Sequence, residues 1–552
     1  MTRCFLILAT GWVLAGSLAA QDPRGEIAGR VTDPSGAVVM GAKVAAVSVD
    51  TTQVTRTTTN SAGDYLLPFL NVGEYVVSVE AAGFQLYRET KVMVRTGESS
   101  VVDVRLAVES PSHSIKVVAS APGVEGRTGF DPIVADDGAI QVLPFRDGNP
   151  LTLALLAAGV ADVADLSNGG TTRAYENENA SAIVVNGSSS GTHEYRIDGA
   201  ANTGGSSGNV AYVPPSGVVS EVKVESSLVD ARIGFASGAL LSLSLKPGTN
   251  ALHGQVYGFI ENPATNANSF FSNKSGTHDN IREVRYGVNA SGPVEIPHIY
   301  HGMNRTFWMY GFEAIDAAQP AGANNLTYTV PSAPERQGNF ADLLAYGSSY
   351  QIYDPATTKA SATSGVYQRT AFPGNVIPTS RLSQTALDIV GAYYPLPNLP
   401  GAKFSGTDYS VPSVQTNDFY NHAFRLDQAI GEKHRLFFRA NLNQRHQVMQ
   451  QRFAGGAGND GDRDNLGLGI DDAWIIGGDF LADMRYSFTR YVDNYQPPTA
   501  GLDLTTLGFS QSYVDQIRAI DPRNIMLPDI APTGYPELNG QAQTRLASDI
   551  HA

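Results

Sequence analysis

Polar and apolar residues alternate in short runs through residues 25–107. The first run, Glu26–Asp33, ends at the turn Pro34–Gly36. Further runs follow at 42–47, 52–59, 65–68, 75–80 and 101–106, with Gly, Asn, Ser and Pro between them. Period-two alternation is the pattern of half-buried strands, and closely spaced strands with turn signals are typical of a β-sandwich. The sequence therefore predicts a small sandwich at 25–107.

Longer alternating runs begin at Gly254. In one of them, Phe424 and Leu426 lie opposite Arg425 and Asp427. About seven such runs can be traced, near 254–262, 283–293, 305–313, 421–428, 434–443, 466–476 and 480–490. A membrane-barrel strand needs one apolar face and one polar face. Because a soluble sandwich shows the same alternation, the period alone leaves both architectures open.

The lengths of the connections favour the barrel. If the first run rises from the inner side, the outer connections are near 263–282, 314–420, 444–465 and 491 onward. The inner connections are near 294–304, 429–433 and 477–479. Outer-membrane barrels have short turns on one side and long loops on the other. The sequence thus predicts an antiparallel barrel sheet over residues 251–552.

Residues 130–250 differ from both neighbours. They contain a helical stretch at Leu151–Ala158, which ends at Gly159 and Val160. The chain has no run of about 18 consecutive apolar residues, so a helical membrane protein is not expected.

Composition changes the picture in two ways. The chain has 56 Gly, 24 Tyr, 22 Phe and only 3 Trp, and 42% of its residues are hydrophobic, which suits a folded protein with many strands and turns. The formal net charge is −15. A nucleic-acid-binding protein would show a basic face, so no nucleic-acid partner is expected.

The first 20 residues have the pattern of a secretory signal peptide. Arg3 supplies the positive charge, Phe5–Leu18 is mostly apolar, and small residues precede a cleavage site after Ala19 or Ala20. The only cysteine, Cys4, lies within it. A mature chain without cysteine excludes disulfides, thiolate zinc sites and cysteine nucleophiles.

Two short motifs suggest chemistry that their context does not support. Gly187–Gly191 matches the G-x-S-x-G elbow of serine hydrolases, but it lies in a Ser/Gly run and predicts a flexible turn. Asp460, Asp462 and Asp464 are spaced like the start of a calcium loop. Because Asn465 and Asp471 replace the expected Gly and Glu, a solvated acidic loop is the favoured interpretation.

The N-terminal pattern resembles a known module. Gly29–Asp33, Gly41–Val44, Thr58–Tyr65 and Gly73–Val79 are similar to the carboxypeptidase-regulatory-like (Cna-B-type) sandwich. The resemblance is to an accessory domain of such peptidases. The chain contains no H-E-x-x-H, and its ten His are scattered, so a peptidase is not expected.

The central region resembles the plug domain of the Oar-like TonB-dependent receptors. Six segments carry the resemblance: Ile140–Pro144, Leu151–Val160, Val184–Gly187, Tyr195–Gly199, Val219–Val224 and Gly238–Gly254. The motif positions are Asn186, Gly187, Asp198, Gly199, Gly248, Thr249 and Asn250. Ala158 stands where the family usually has Pro, and Pro247 where it usually has Ser. Neither departure changes the predicted fold.

A short apolar run lies between the sandwich and the plug. It consists of Ile115, Lys116, Val117, Val118 and Ala119. In TonB-dependent receptors a strand in this place contacts the periplasmic energiser protein, and an exposed segment of this kind can pair with a partner strand. An ordinary strand or linker is an equally good interpretation.

The sequence therefore predicts a mainly β protein: a sandwich, an α+β plug and the N-terminal part of an outer-membrane antiparallel β-barrel. The predicted divisions are a signal peptide at 1–20, the sandwich at 25–107, a linker at 108–129, the plug at 130–250 and barrel strands with their loops at 251–552. About seven strands cannot close around such a plug, so roughly 15 more are expected by difference from a 22-stranded barrel.

The resemblance implies a TonB-dependent receptor or transporter that takes up an unidentified ligand. Its expected partners are a TonB-type energiser, outer-membrane lipid and an extracellular ligand, with the N-terminal domain in the periplasm and no cofactor. The main alternative is an adhesive or surface-display protein on the same scaffold. A secreted enzyme with an accessory sandwich is a third class, but no catalytic pair stands out.

Overall fold

A computed structural model describes most of the chain. The described residues are 24–108, 116–119, 133–143, 148–162, 173–176, 182–204, 208–226, 238–268, 270–276, 280–320, 325–363, 365–399, 407–412, 414–453, 457–477, 480–538 and 543–551. The predicted signal peptide lies outside them. Among the described helices, none is both long enough and apolar enough to cross a membrane.

The N-terminal strands form two sheets. They are β1 (Gly25–Thr32), β2 (Lys43–Ser48), β3 (Val54–Thr58), β4 (Asp64–Leu70), β5 (Gly73–Glu80), β6 (Tyr87–Val94), β7 (Ser99–Val101), β8 (Val104–Arg105) and β9 (Lys116–Ala119). One sheet has the order β4-β1-β7, with β8 also paired to β1. The other has the order β3-β2-β5-β6-β9.

The predicted alternation places one face of each sheet in a common core. Ile27, Leu67, Val77 and Val79 are fully buried there, whereas Leu66 is 40% exposed. A period of two has this effect because successive side chains point to opposite faces of the sheet. The predicted N-terminal sandwich is therefore present, with a hydrophobic core of its own.

A pair of neighbouring leucines tests that core. In the isolated domain, residues 24–108, we expect cooperative unfolding, and we expect Leu67→Ala to lower the free energy of unfolding by about 2–5 kcal/mol. Leu66→Ala is the matched control, and we expect a change within about 0.5 kcal/mol because its side chain is partly in solvent. Urea denaturation followed by circular dichroism measures both, and equal effects would contradict the assignment of faces.

The central region folds around one mixed sheet. Its elements are β10 (Ile133–Asp136), α1 (Asp137–Val142), β11 (Val160–Asp162), β12 (Ile183–Val185), β13 (Glu194–Ile197), β14 (Ala200–Ala201), β15 (Val219–Glu225) and β16 (Leu240–Leu245), with 3₁₀ helices at Pro150–Leu156 and Ser216–Val218. The sheet order is β10-β15-β16-β13-β14. The short helix predicted at Leu151–Ala158 is thus a 3₁₀ helix that begins at Pro150.

Eight antiparallel strands form the largest sheet. They are β17 (His253–Glu261), β18 (Arg282–Pro293), β21 (Thr306–Gln319), β26 (Val414–Ile430), β27 (His434–Phe453), β28 (Ala457–Gly477), β29 (Phe480–Gln496) and β30 (Thr544–His551), in that order across the sheet. The connections contain β19 (Glu295–Ile296), β20 (Tyr300–His301), β22 (Asn325–Tyr328), β23 (Lys359–Ala360), β24 (Tyr367–Gln368), β25 (Tyr409–Pro412), α2 (Phe270–Ser275), α3 (Gln384–Tyr393), α4 (Gln511–Ile520) and 3₁₀ turns.

The two faces of this sheet differ as the alternation predicted. On β26, Asn421, Arg425 and Asp427 are buried against the central domain, whereas Phe424 and Leu426 on the other face are partly exposed. Met309 and Ala423 of the inward face belong to the same hydrophobic core as the central strands. The central domain therefore lies against the polar face of the sheet, where a plug is expected.

Two expectations about the sheet are wrong. The count of seven strands misses β30, which pairs along Phe488–Tyr495 of β29. Its charged residues Arg545 and Asp549 made the segment resemble a loop, but both side chains are exposed on the strand. The predicted outer loop at 444–465 is also largely strand, because β27 and β28 stay paired from His434 to Phe453. Alternation continues through this stretch, but its outward face is polar, which made it resemble a loop.

The connections still divide the sheet into two ends. Residues 294–305, 431–433 and 478–479 connect strands at one end, which we call the turn end. Residues 262–281, 320–413 and 497–543 connect strands at the other, which we call the loop end. The last two loop-end connections pack together through a small core of Val330, Ile389, Tyr394, Leu507, Leu527 and Leu538.

Candidate functional site

The central domain, which we call the plug, contacts the eight-stranded sheet, which we call the wall, through a tight turn. Asp198 and Gly199 join β13 to β14, and both have positive φ values, 46° and 75°. Two-residue hairpin turns of this kind require that conformation, which Asp and Gly tolerate best. The predicted motif residues are therefore turn residues, and the Asp198 side chain is 1% exposed.

A buried charge cluster is built on that turn. The Asp198 Oδ1 accepts hydrogen bonds from the Leu245 N–H at 2.9 Å and from the Arg425 Nη1 at 3.0 Å. Arg425 also donates to Asp427, its neighbour on the inward face of β26, at 2.8 Å. Buried charges need such pairing because desolvation is costly. The cluster joins the plug to the wall across 227 residues of sequence.

Polar contacts continue along the plug and wall. The Asn421 Nδ2 donates to the Val213 carbonyl at 2.9 Å, the Arg439 Nη1 to the Ile197 carbonyl at 3.2 Å, and the Asn465 Nδ2 to the Ala211 carbonyl at 3.1 Å. Inward-facing side chains thus bind plug backbone. A polar interface of this kind is easier to separate than a continuous apolar core.

The plug also contacts the wall nearer the loop end. Arg173 donates to Glu283 and to the Tyr175 hydroxyl, and the Glu176 carboxylate accepts from Gln319 at 3.2 Å. Tyr175 lies against Phe419, with ring centroids 6.2 Å apart. The short segment 173–176 is therefore held by charge, hydrogen bonds and ring contact together.

Asn186 and Gly187 occupy a second turn with positive φ values, 51° and 78°. The Asn186 N–H donates to the Gly159 carbonyl at 2.8 Å, and its Nδ2 donates to the Ser226 carbonyl at 2.6 Å. The residues therefore stabilise the plug. The G-x-S-x-G sequence that starts here follows a strand into a turn, without the helix that a nucleophile elbow requires.

The last motif joins the plug to the first barrel strand. A Cβ at Gly248 would lie 2.6 Å from the Phe307 Cβ, so only glycine fits. Thr249 donates its hydroxyl to the Ala251 carbonyl at 2.9 Å. The Asn250 Nδ2 donates to the Thr51 carbonyl and to the Asn304 Oδ1, both at 2.7 Å. Asn250 therefore links sandwich, plug and turn end.

The sandwich contacts the plug through Thr96, which follows β6. Its N–H donates to the Glu221 carboxylate at 3.2 Å, its hydroxyl lies 2.7 Å from that of Ser244, and its carbonyl accepts from the Lys223 Nζ at 3.0 Å. All four residues are less than 5% exposed.

The sandwich also contacts the wall, through Arg24. This residue pairs with Asp471 and Asp483 of the wall at 2.8 Å each.

The position of Glu221 makes this contact sensitive to pH. Burial raises the pKa of Glu221 to about 7, opposed by the Thr96 hydrogen bonds and the Lys223 charge and reinforced by Glu98. A carboxyl with a raised pKa favours the protonated folded form, so stability falls as the pH rises from the unfolded pKa, about 4.3, to about 7.

We therefore expect the protein to be more stable at pH 5 than at pH 8, with most of the loss below pH 7. Glu221→Gln keeps an acceptor for Thr96 but cannot ionise. The difference in melting temperature between pH 5 and pH 8 should therefore be smaller in this variant. Equal pH dependence in the two proteins would show that Glu221 is not its source.

The structure corrects the acidic-loop interpretation of the calcium candidate. Asp460, Asp462 and Asp464 lie on β28 and not in a loop. Alternate residues of a strand are about 7 Å apart, too far for three carboxylates to share one ion. Asp462 pairs with His446 at 2.7 Å, and Asp464 accepts from Gln444 at 3.1 Å. Within the described ranges, no group of three or more His, Cys, Asp or Glu is arranged to hold a metal.

The predicted energiser-contact segment forms a strand for most of its length. Lys116, Val117, Val118 and Ala119 make up β9, and Ile115 lies outside the described residues. The strand pairs in parallel with Tyr87–Thr90 of β6. The segment is therefore attached to the sandwich sheet, an arrangement that the sequence did not indicate.

The charged partners of the motif residues were missed from the sequence. Arg425 and Asp427 were recognised only as the polar face of a strand, and Glu221, Lys223 and Thr96 were not singled out. The available signal was an ionisable residue at an inward position of an alternating run. Such a residue needs a buried partner, but the pattern does not say which one.

The plug packs against the polar face of the long antiparallel sheet, and the sandwich contacts the turn end of that sheet. Residues 244–550 match the model of the outer membrane beta barrel domain, and residues 26–107 match that of the carboxypeptidase regulatory-like domain. The chain belongs to the outer membrane beta barrel domain family and is located in the outer membrane.

The chain is also similar to individual known proteins. The chain is 23% identical over 236 residues to the TonB-dependent transporter Oar of Myxococcus xanthus. The matched region covers 41% of this chain and 20% of that protein. Solved structures that it resembles include the outer membrane transporter YddB from Escherichia coli, with 9% identity, 67% and 40% coverage and a TM-score of 0.40. The ferric enterobactin receptor PfeA from Pseudomonas aeruginosa gives 11% identity, 68% and 43% coverage and a TM-score of 0.36. The chain spans one fifth of the length of the curated relative and less than half of these structures.

Proposed function

We propose that the protein is a TonB-dependent receptor that takes up a ligand when a periplasmic energiser pulls on it. The observation that carries this proposal is the polar attachment of the plug to the wall, centred on the Asp198–Arg425 contact of 3.0 Å. A structural filler would gain nothing from charged contacts, which cost desolvation. A removable plug needs an attachment that is specific but can be broken.

The proposal assigns a role to each region. The loop end faces outward and captures the ligand, whereas the turn end and the sandwich face the periplasm. The energiser adds a strand to the segment Lys116–Ala119, which supplies backbone hydrogen bonds at an edge. Its pull separates the plug from the wall and opens a passage.

A buried plug residue reports on this movement without knowledge of the ligand. Ala200 on β14 is 4% exposed, and Ala200→Cys introduces a small thiol into a chain whose only other cysteine is Cys4. In living cells we expect a membrane-impermeant maleimide to label position 200 several-fold faster when the cells are energised than after treatment with a protonophore. Labelling that is equally slow in both conditions would contradict energised transport.

The alternative function, adhesion or surface display, has one observation in its favour. The connections 320–413 and 497–543 pack around a common hydrophobic core, and the Tyr394 hydroxyl donates to the Pro536 carbonyl at 2.5 Å. A folded surface unit of this kind suits the display of a binding face as well as ligand capture. If the protein serves adhesion, the rate of labelling at position 200 should be the same in energised and de-energised cells. The same labelling experiment therefore separates the two functions.

A further inference from the structure

One strand of the sandwich contacts both the proposed energiser segment and the plug. The N-terminal half of β6, Tyr87–Thr90, pairs with β9, with Arg88 opposite Val117 and Glu89 opposite Val118. Lys91 then has a positive φ of 62°, and the last described pair of the ladder with β9 is Thr90 with Ala119. Thr96 lies two residues after the end of β6 and makes the contacts to the plug.

The plug strands that Thr96 contacts are internal to the plug sheet. Glu221 and Lys223 lie on β15, and Ser244 lies on β16. These two strands lie between β10 and β13 in the sheet order. Lys223 also pairs with Glu225 at 2.9 Å and lies 3.9 Å from Glu98 of the sandwich. A force on Thr96 therefore acts on the middle of the plug and not on a loose end.

The other edge of β9 is available for pairing. In the described part of the sheet, β9 is the last strand, beyond β6. An edge strand presents unpaired N–H and C=O groups, which are a template for a further strand. An extended segment of a partner can therefore add to β9 while β9 stays paired with β6.

We propose that the sandwich transmits the pull. The energiser adds a strand to the free edge of β9, β9 remains attached to β6, and β6 transfers the force through Thr96 to β15 and β16 of the plug. The sandwich is then a lever between the partner and the plug. This inference rests on the proposed function, because it concerns how the same energiser acts.

The sandwich is suited to this role by its own core. A buried cluster that includes Ile27, Leu67, Val77 and Val94 joins its two sheets, so that displacement of β6 moves the whole domain. Interiors packed in this way transmit strain because they have few voids. The plug contact is polar and buried, which makes it directional as well as separable.

A disulfide between β6 and β9 tests the order of events. Arg88→Cys with Val117→Cys places two thiols on paired residues of adjacent strands, whose backbones are about 4.8 Å apart, within the range that a disulfide spans. The pair is introduced together with Ala200→Cys, and labelling at position 200 is read from its own peptide by mass spectrometry. The reduced protein serves as the control for the oxidised one.

If β9 works while attached to β6, the oxidised protein should keep the energised increase at position 200 within about twofold of the reduced protein. If the segment must leave the sandwich first, oxidation should abolish the increase and reductant should restore it, which would overturn the inference but leave the proposed function intact. An absent response in every variant, including Ala200→Cys alone, would overturn both.

The plug contact is tested with the same reporter. Glu221→Ala removes the acceptor of the Thr96 N–H, whereas Glu221→Gln keeps an amide oxygen there. We expect Glu221→Ala to lose most of the increase in labelling rate that energised cells show at position 200. We expect Glu221→Gln to keep that increase. Slow labelling of both variants in de-energised cells checks that the plug is still folded. A normal energised increase in Glu221→Ala would contradict transmission through Thr96.

Discussion

Replacing Arg425 with methionine is expected to loosen the plug by the largest amount of any single change considered. The Arg425 side chain is 5% exposed and pairs with both Asp198 and Asp427. Removal of the cation leaves two buried carboxylates without it, and breaking a buried pair in this way costs about 3–5 kcal/mol. Amides of β13 and β16 should then exchange with deuterium about 100-fold faster or more, since each 1.4 kcal/mol is about a factor of ten.

Arg490→Met is the matched control. Arg490 pairs with Asp549 at 2.7 Å, but the two side chains are 55% and 39% exposed. Exposed pairs contribute about 0–1 kcal/mol because water screens them. We expect little change in exchange for this variant. Equal acceleration in the two variants would show that the Arg425 cluster does not hold the plug.

The second large effect is expected from proline in β9. The N–H groups of successive strand residues point to opposite edges of the strand. Proline removes the N–H, so one of the variants Val117→Pro and Val118→Pro loses a donor towards β6. The other variant loses a donor towards the free edge. Both variants should lose the energised labelling at position 200. Faster deuterium exchange at Tyr87–Thr90 should occur in only one of them.

Ser112→Pro provides the control for these variants, because it places a proline in the linker before the segment. We expect its energised labelling to match that of the parent. If Val117→Pro and Val118→Pro behave like Ser112→Pro, the segment is only a linker. If both variants lose labelling but neither changes exchange in β6, the segment binds the energiser without being attached to the sandwich.

Local patterns were sufficient to predict the N-terminal sandwich and the faces of the strands. Phe424 and Arg425 were assigned to opposite faces because successive strand residues point to opposite sides, and their exposures confirm it. Asp198–Gly199 was recognised from family resemblance, and its turn follows from the left-handed backbone that Asp and Gly tolerate. Each of these conclusions depends only on residues close together in the chain.

The same local rules failed where one face changed character. The stretch 444–465 continues as paired strands, but its outward residues His446, Asp462 and Asp464 are polar, so it resembled a loop. The same residue types hid β30. Alternation in the sequence predicts which residues of a strand share a face. It does not predict how far the strand continues once its outward residues become polar, because pairing in the assembled sheet decides that.

The tertiary structure alone decided which distant groups meet. Asp198 and Arg425 are separated by 227 residues, Thr96 and Glu221 by 125, and Arg24 and Asp483 by 459. The alternation placed Arg425 on the polar face of its strand, whereas Thr96, Glu221 and Arg24 were not singled out from the sequence. Their partners follow from how the sandwich, plug and sheet pack, because a buried charge is satisfied by whichever opposite charge the fold brings within hydrogen-bond distance.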